Sequence, residues 1–257
     1  MSYAVAEYGN VLPIVAVTQV LLVRAGESVK PDGHFGPRTL EAVKQFQRSR
    51  DRVPPLVADG KVSVATWPQL VDREPGFQVL DCIDVGDPSL YQLEVQHATH
   101  NGGNPLVIGG MCNGVEQAVT LICASAAAGT VGLLRFHGHG NSGGAGLGAG
   151  TWDLGENASI IRDSSAAQFQ RLRPLFSRYG CIQFMHCSTG RGAQGTRMLQ
   201  AIANATGVPA SAALNTQYGG GSTTFRYEGP TKTAIPGGAT LKSWAAALPP
   251  IYGQSRM

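Results

Sequence analysis

Two short apolar runs constrain this chain more than any other feature. Val131 to Phe136 is apolar apart from Arg135, and Cys181 to Met185 is apolar apart from Gln183. Near-continuous runs of this length, bounded by turn residues, are the pattern of strands buried on both faces of a parallel sheet. Helix-compatible stretches lie around and between them. Gly114 to Ala128 stops at Gly129, Ser164 to Ser177 separates the two runs, and Thr196 to Ala205 precedes a third expected strand over Val208 to Ala213. Further strands are expected over Leu90 to Val95 and Pro105 to Ile108, and a short helix over Leu241 to Leu248. Such alternation predicts a mainly parallel sheet with covering helices. Ligands of such sheets bind beyond the C-terminal ends of the strands.

The first third of the chain is different. It contains an internal echo, Asp32-Gly33 leading to Thr39 and Asp59-Gly60 leading to Thr66. Asp-Gly is a turn signal, and Pro37 suits the first position of a helix. Leu40, Val43, Phe46 and Gln47 then fall on one helical face, while Val17 to Val23 forms an earlier apolar helix. Three short helices joined by Asp-Gly turns are predicted. The domain plan is therefore a helical module over residues 1–74, a linker over 75–89 containing Pro75, Gly76, Gly86 and Pro88, and an α/β domain over 90–257.

The residues Val17 to Leu22, Asp32-Gly33, Phe35-Gly36-Pro37, Thr39, Ala42-Val43, Phe46-Gln47, Asp59-Gly60, Thr66-Trp67 and Leu70 resemble the peptidoglycan-binding domain family over about residues 14–72. Ser63 stands where that family usually repeats glycine. The resemblance implies a cell-wall ligand. At helical spacing, Phe35, Val43, Phe46 and Trp67 are better read as core than as ligand contacts.

Each buried run leads into reactive side chains. The first continues into His137-Gly138-His139-Gly140, with seven glycines between residues 138 and 150; the second continues into His186-Cys187-Ser188-Thr189-Gly190. A thiol near neutral pH needs a basic or cationic partner to ionise, and histidine supplies one. His139 precedes Cys187 by 48 residues. The strings Leu133 to Gly140 and Ile182 to Cys187, with Gly190 to Gly195 and Thr206 to Ser211, resemble the caspase-like cysteine peptidase superfamily, including metacaspases and CHAT-type domains, over about residues 90–215. That resemblance implies a caspase-like sheet, His139 as general base and Cys187 as nucleophile, with the backbone amides of Gly140 and Cys187 facing the oxyanion. His137, two residues from His139, is an alternative base; His186 is expected to be a core histidine. The superfamily's acidic residue before the cysteine is missing here, and only Asp153 and Asp163 suggest themselves for specificity.

Other readings remain open at this level. His137 and His139, with His186 or Cys187, could ligate zinc in a metal-dependent wall peptidase, although the thiol reading needs neither metal nor cofactor. A catalytically inactive wall-binding protein is the third possibility. Net charge is +3 without a long basic run, which argues against nucleic-acid binding. No apolar stretch is long enough to span a membrane. Glu7 and the absence of an apolar leader in the first ten residues imply a non-Sec route from the cytoplasm to the periplasm, the wall or the exterior, as for an injected effector. The expected partners are peptidoglycan and a protein or peptide substrate. Five cysteines at irregular spacing imply no disulfide framework and at least one free thiol; Cys82, Cys112, Cys123 and Cys181 are expected in the core.

Overall fold

A computed structural model describes residues 4–49, 51–71, 77–109, 113–148, 159–218 and 224–248. The chain divides into two units: Tyr3–Pro75 with Ala239–Met257, and Gly76–Gly238 with the first two residues. The stretch from Ala239 was expected with the α/β domain, but it joins the helical unit.

The helical unit is built on α1 (Pro13–Arg24), α2 (Pro37–Arg48) and α3 (Thr66–Val71). Proline opens the first two helices, where its missing N–H costs nothing. Phe35, Val43, Phe46, Trp67 and Leu70 are buried with Ile14, Val17 and Leu21, as their spacing predicts. The echo in the sequence corresponds to two matching polar knots. Gln19 Nε2 donates to Asp32 Oδ1, the His34 carbonyl and Thr39 Oγ1, all within 3.0 Å, and its Oε1 accepts the N–H groups of Asp32 and Gly33. Gln47 repeats this with Asp59 Oδ1, the Lys61 carbonyl, Thr66 Oγ1 and the Gly60 N–H. Gly33 and Gly60 sit at φ +79° and +77°, which side chains rarely tolerate. A Cβ on Gly33 would also strike Leu241, from the helix Leu241–Ala247, at 2.7 Å. That seat explains why the C-terminal helix belongs here.

The second unit starts with β1 (Gln78–Asp84), inside the stretch expected to be linker. Then come α4 (Pro88–His100), β2 (Leu106–Ile108), α5 (Gly114–Ser125) and β3 (Val131–His137). The strand expected over Leu90 to Val95 is thus part of a helix. Asp87 caps it, accepting the N–H groups of Ser89 and Leu90, and Pro88 fills its first turn. Next are three short strands, β4 (Gly140–Asn141), β5 (Gly144–Gly146) and β6 (Ile160–Ile161), forming an antiparallel sheet of their own. The helix expected over Ser164 to Ser177 is a string of short helical turns around α6 (Ala166–Phe169), interrupted by Pro174. β7 (Phe176–Phe184), α7 (Gly192–Thr206), β8 (Ala210–Ala213) and β9 (Thr231–Ala234) complete the unit. The main sheet runs β2-β1-β3-β7-β8-β9, parallel except for β9.

One face of this sheet is apolar. Leu80, Cys82, Leu134, Phe136, Ile182 and Phe184 pack with residues of α5, α6 and α7, and the rings of Phe136 and Phe184 stack at 5.4 Å. The opposite face carries a buried charge. Arg135 is held by Asp81, its register partner on β1, at 2.6 Å from Nε to Oδ1 and 3.1 Å from Nη2 to Oδ2. Its guanidinium also lies over the Phe225 ring at 4.4 Å.

Two outcomes check this picture. Gln47→Ala removes one partner each from Asp59 Oδ1, Thr66 Oγ1, the Lys61 carbonyl and the Gly60 N–H, and should lower stability of the helical unit by about 2–3 kcal/mol, measured by urea unfolding followed by tryptophan fluorescence. Asp81→Ala leaves the Arg135 charge buried without its carboxylate. It should cost about 3–5 kcal/mol, with much of the loss recovered in the double variant Asp81→Leu, Arg135→Met.

Candidate functional site

Because β3 and β7 are adjacent and pair Phe136 with Phe184, His139 and Cys187 each lie three residues beyond matched positions. Both therefore emerge at the C-terminal edge of the sheet. The segments that carry them are joined directly. Gly143 N–H donates to the Thr189 carbonyl at 3.0 Å, and Thr189 Oγ1 donates to the Gly144 carbonyl at 3.1 Å. Ser142 Oγ donates to the Arg191 carbonyl, and His186 Nε2 donates to the Gly146 carbonyl at 3.1 Å.

The glycine-rich loop makes this close seam possible. Gly138, Gly140, Gly143 and Gly144 are closely packed. A Cβ on Gly140 would lie 2.5 Å from His186 Cβ and Thr189 Oγ1, and one on Gly143 would lie 2.7 Å from Gln194 Cβ. Their small size lets two backbones approach; Gly140 itself pairs with Ala145 in the small sheet.

His137 and His139, two residues apart, separate. β3 ends at His137, and Gly138, at φ +147°, breaks the alternation that would have kept His139 on the same side. His137 is buried, its Nε2 donating to Asp81 Oδ1 at 2.9 Å, with Nδ1 4.0 Å from Glu94 Oε1. There it is closed off from the surface beneath Asp81. His139 is half-exposed, and its Nε2 meets Asp87 Oδ2 at 3.0 Å. Asp87 was not anticipated. One carboxylate caps α4 through Oδ1 and holds His139 through Oδ2, and the His139 contact, with the N–H bonds of Leu90 and Ser89, lowers its pKa. The Asp-Pro pair was the available signal.

Cys187 is partly exposed. It accepts the Gln217 N–H at 3.3 Å, and its thiol points to the Gln217 carbonyl at 3.4 Å. Ser188 follows in the left-handed region at φ 53°, held by its N–H to the Asn215 carbonyl. Strained backbone of this kind collects at functional sites.

Buried titratable groups surround the site. Burial works against ionisation of Asp81, yet Arg135 and His137 together hold its carboxyl well below the usual range. Burial raises Glu94 to about 6 despite the neighbouring His137. Burial also raises Asp84, although it accepts the N–H groups of Gly148 and Gly86. His186, fully buried, is pushed down to about 3. Cys82 and Cys181 are buried, and burial pushes the Cys181 thiol up to about 12. Cys123 is only half-buried, while Cys112 and Asp153 lie outside the described residues. Asp163 is 3.8 Å from Arg197 on the surface. Among the described residues, no three histidine, cysteine or acidic side chains converge as a metal site. Nor, among them, is any helix long and apolar enough to cross a membrane.

Residues 13–70 match the peptidoglycan binding domain family, a match confined to the helical unit that associates the chain with the cell wall. No curated protein and no solved structure matches the chain.

The buried imidazole has a measurable consequence. Below the ordinary histidine pKa near 6.5, the unfolded chain takes up a proton at His186 that the folded chain refuses down to about 3. Its contribution therefore falls as pH drops through that window. Glu94 acts with the opposite sign: it keeps its proton up to about 6, so stability present below its ordinary value of 4.5 is lost as pH rises. His186→Gln should show a smaller drop in Tm between pH 7 and pH 5 than the parent protein. An equal drop would remove His186 as the source.

Proposed function

We propose that Gly76–Gly238 is a caspase-like cysteine hydrolase acting on an amide bond, carried on the same chain as a module that binds peptidoglycan. The supporting observation is the matched emergence of His139 and Cys187 from adjacent parallel strands, with the imidazole oriented by Asp87 and the two segments sewn together by four hydrogen bonds.

In this reading the Cys187 thiol gives its proton to His139, and the thiolate attacks the amide carbonyl. Backbone N–H groups of Gly140 and Cys187 take the oxyanion. Collapse of the tetrahedral species breaks the C–N bond, and the imidazolium returns the proton to the leaving amine. Water, deprotonated by His139, then hydrolyses the thioester and releases the acid, restoring the thiol. Asp87, bonded to Nε2, holds the ring and leaves Nδ1 for the proton transfer.

The direct test compares parent and variants on purified sacculi and on a peptide library. Cys187→Ala should abolish turnover, and His139→Ala should lower kcat/KM by about 10²–10⁴-fold. Asp87→Asn keeps an acceptor for the α4 cap, so it should lower kcat while leaving Tm nearly unchanged. Full activity in Cys187→Ala ends the thiol reading. A parent protein inert on both substrates returns it to wall binding alone.

A further inference from the structure

A cavity of about 410 Å³ opens beside Cys187, lined by Ser188, Arg191, Asn215, Thr216, Tyr218 and Glu228. It adjoins the thiol through two connections. Ser188 is the next residue in the chain, and Gln217, within the lining loop, donates its N–H to Cys187 Sγ. The size suits one long side chain and is within the ordinary range of ligand pockets.

Hydrogen bonds hold the segments that line the cavity. Glu228 Oε2 accepts the Tyr218 N–H at 2.5 Å, and the Glu228 N–H donates to Gln217 Oε1 at 2.8 Å. Gln217 Nε2 in turn donates to the carbonyls of Asn215, Thr216 and Glu228. On the other side, Arg191 is anchored through its own N–H to the Ser188 carbonyl, and its carbonyl accepts Ser142 Oγ. One anion and one cation therefore line a single cavity.

An apolar side chain here would leave both charges to water. A lysine side chain would satisfy Glu228 alone, and a glutamate would satisfy Arg191 alone. A side chain ending in both an ammonium and a carboxylate would satisfy the two together. Diamino acids with such an end occur in peptidoglycan stem peptides, the polymer class that the helical unit's family binds. We propose that this cavity is the specificity pocket of the Cys187 site and receives the zwitterionic end of a diamino-acid residue next to the cleaved amide. This assignment rests on the hydrolase reading above, and it names the substrate class.

The test uses full-length protein carrying Cys187→Ala, so that binding is measured without turnover. Calorimetry compares three probes: Nα-acetyl-diaminopimelic acid amide with its far end zwitterionic, Nα-acetyl-lysine amide and Nα-acetyl-glutamate amide. A half-exposed ion pair is worth up to about fivefold, so the zwitterion should bind about fivefold tighter than either singly charged probe. Glu228→Gln, which keeps an acceptor for the Tyr218 N–H, should bring it down to the glutamate probe's affinity. Arg191→Gln should bring it down to that of the lysine probe. Equal affinities for the three probes, or a preference that survives both substitutions, overturns the assignment. A preference for lysine alone also overturns it and points to a basic protein substrate. Turnover by the parent protein is scored separately. An inactive parent whose Cys187→Ala form still shows the preference retains the pocket and loses the hydrolase, whereas an active parent without the preference loses only the pocket.

Discussion

A full positive charge, Arg135, sits in the middle of a strand buried on both faces, and the arrangement of the sheet follows from neutralising it. Asp81 answers it bidentately from the neighbouring strand, and His137 shares the same carboxylate. Desolvating a charge this deeply costs several kcal/mol unless a partner of good geometry is present. The pair therefore acts as a register lock. A slip of β3 by one residue would turn Arg135 toward Leu80, Ile182 and Phe184 on the apolar face, where no carboxylate waits.

Register then decides the site. With β1, β3 and β7 locked side by side, their C-terminal ends present Asp87, His139 and Cys187 along one edge. None of these residues needs to be buried, because the rigid elements below them set their origin. Asp87 shows the economy of the arrangement: the same carboxylate that starts α4 also holds the imidazole. The glycines between and after them permit the seam that joins the histidine loop to the cysteine turn.

Much of this was legible in the residues. The Asp-Gly echo marked the two turns of the helical unit, and helical spacing marked Phe35, Val43, Phe46 and Trp67 as core. The strands ending at His137 and Phe184 stood out by their apolar runs. Sequence and structure differ where two local signals compete. Around β1, Pro75, Gly76, Gly86 and Pro88 read as linker, and a buried Asp81 makes sense only once Arg135 is beside it. In α4, Leu90 and Val95 suggested a strand, while the decisive helix signal was the Asp87-Pro88 start.

Local pattern thus determined the presence of a helical module and of a parallel sheet, the burial of their apolar residues, and the short list of reactive side chains. Choosing among those side chains required the folded chain. His137 and His139 are two residues apart, yet one is sealed beneath Asp81 and the other stands free at Asp87, because Gly138 ends the strand between them. Gln19 and Gln47 became the knots of their turns, and Glu228 and Arg191 came to line one cavity, through the meeting of residues distant in the chain. Periodicity reports which face of an element is apolar; it carries no record of which polar group from another element will meet it.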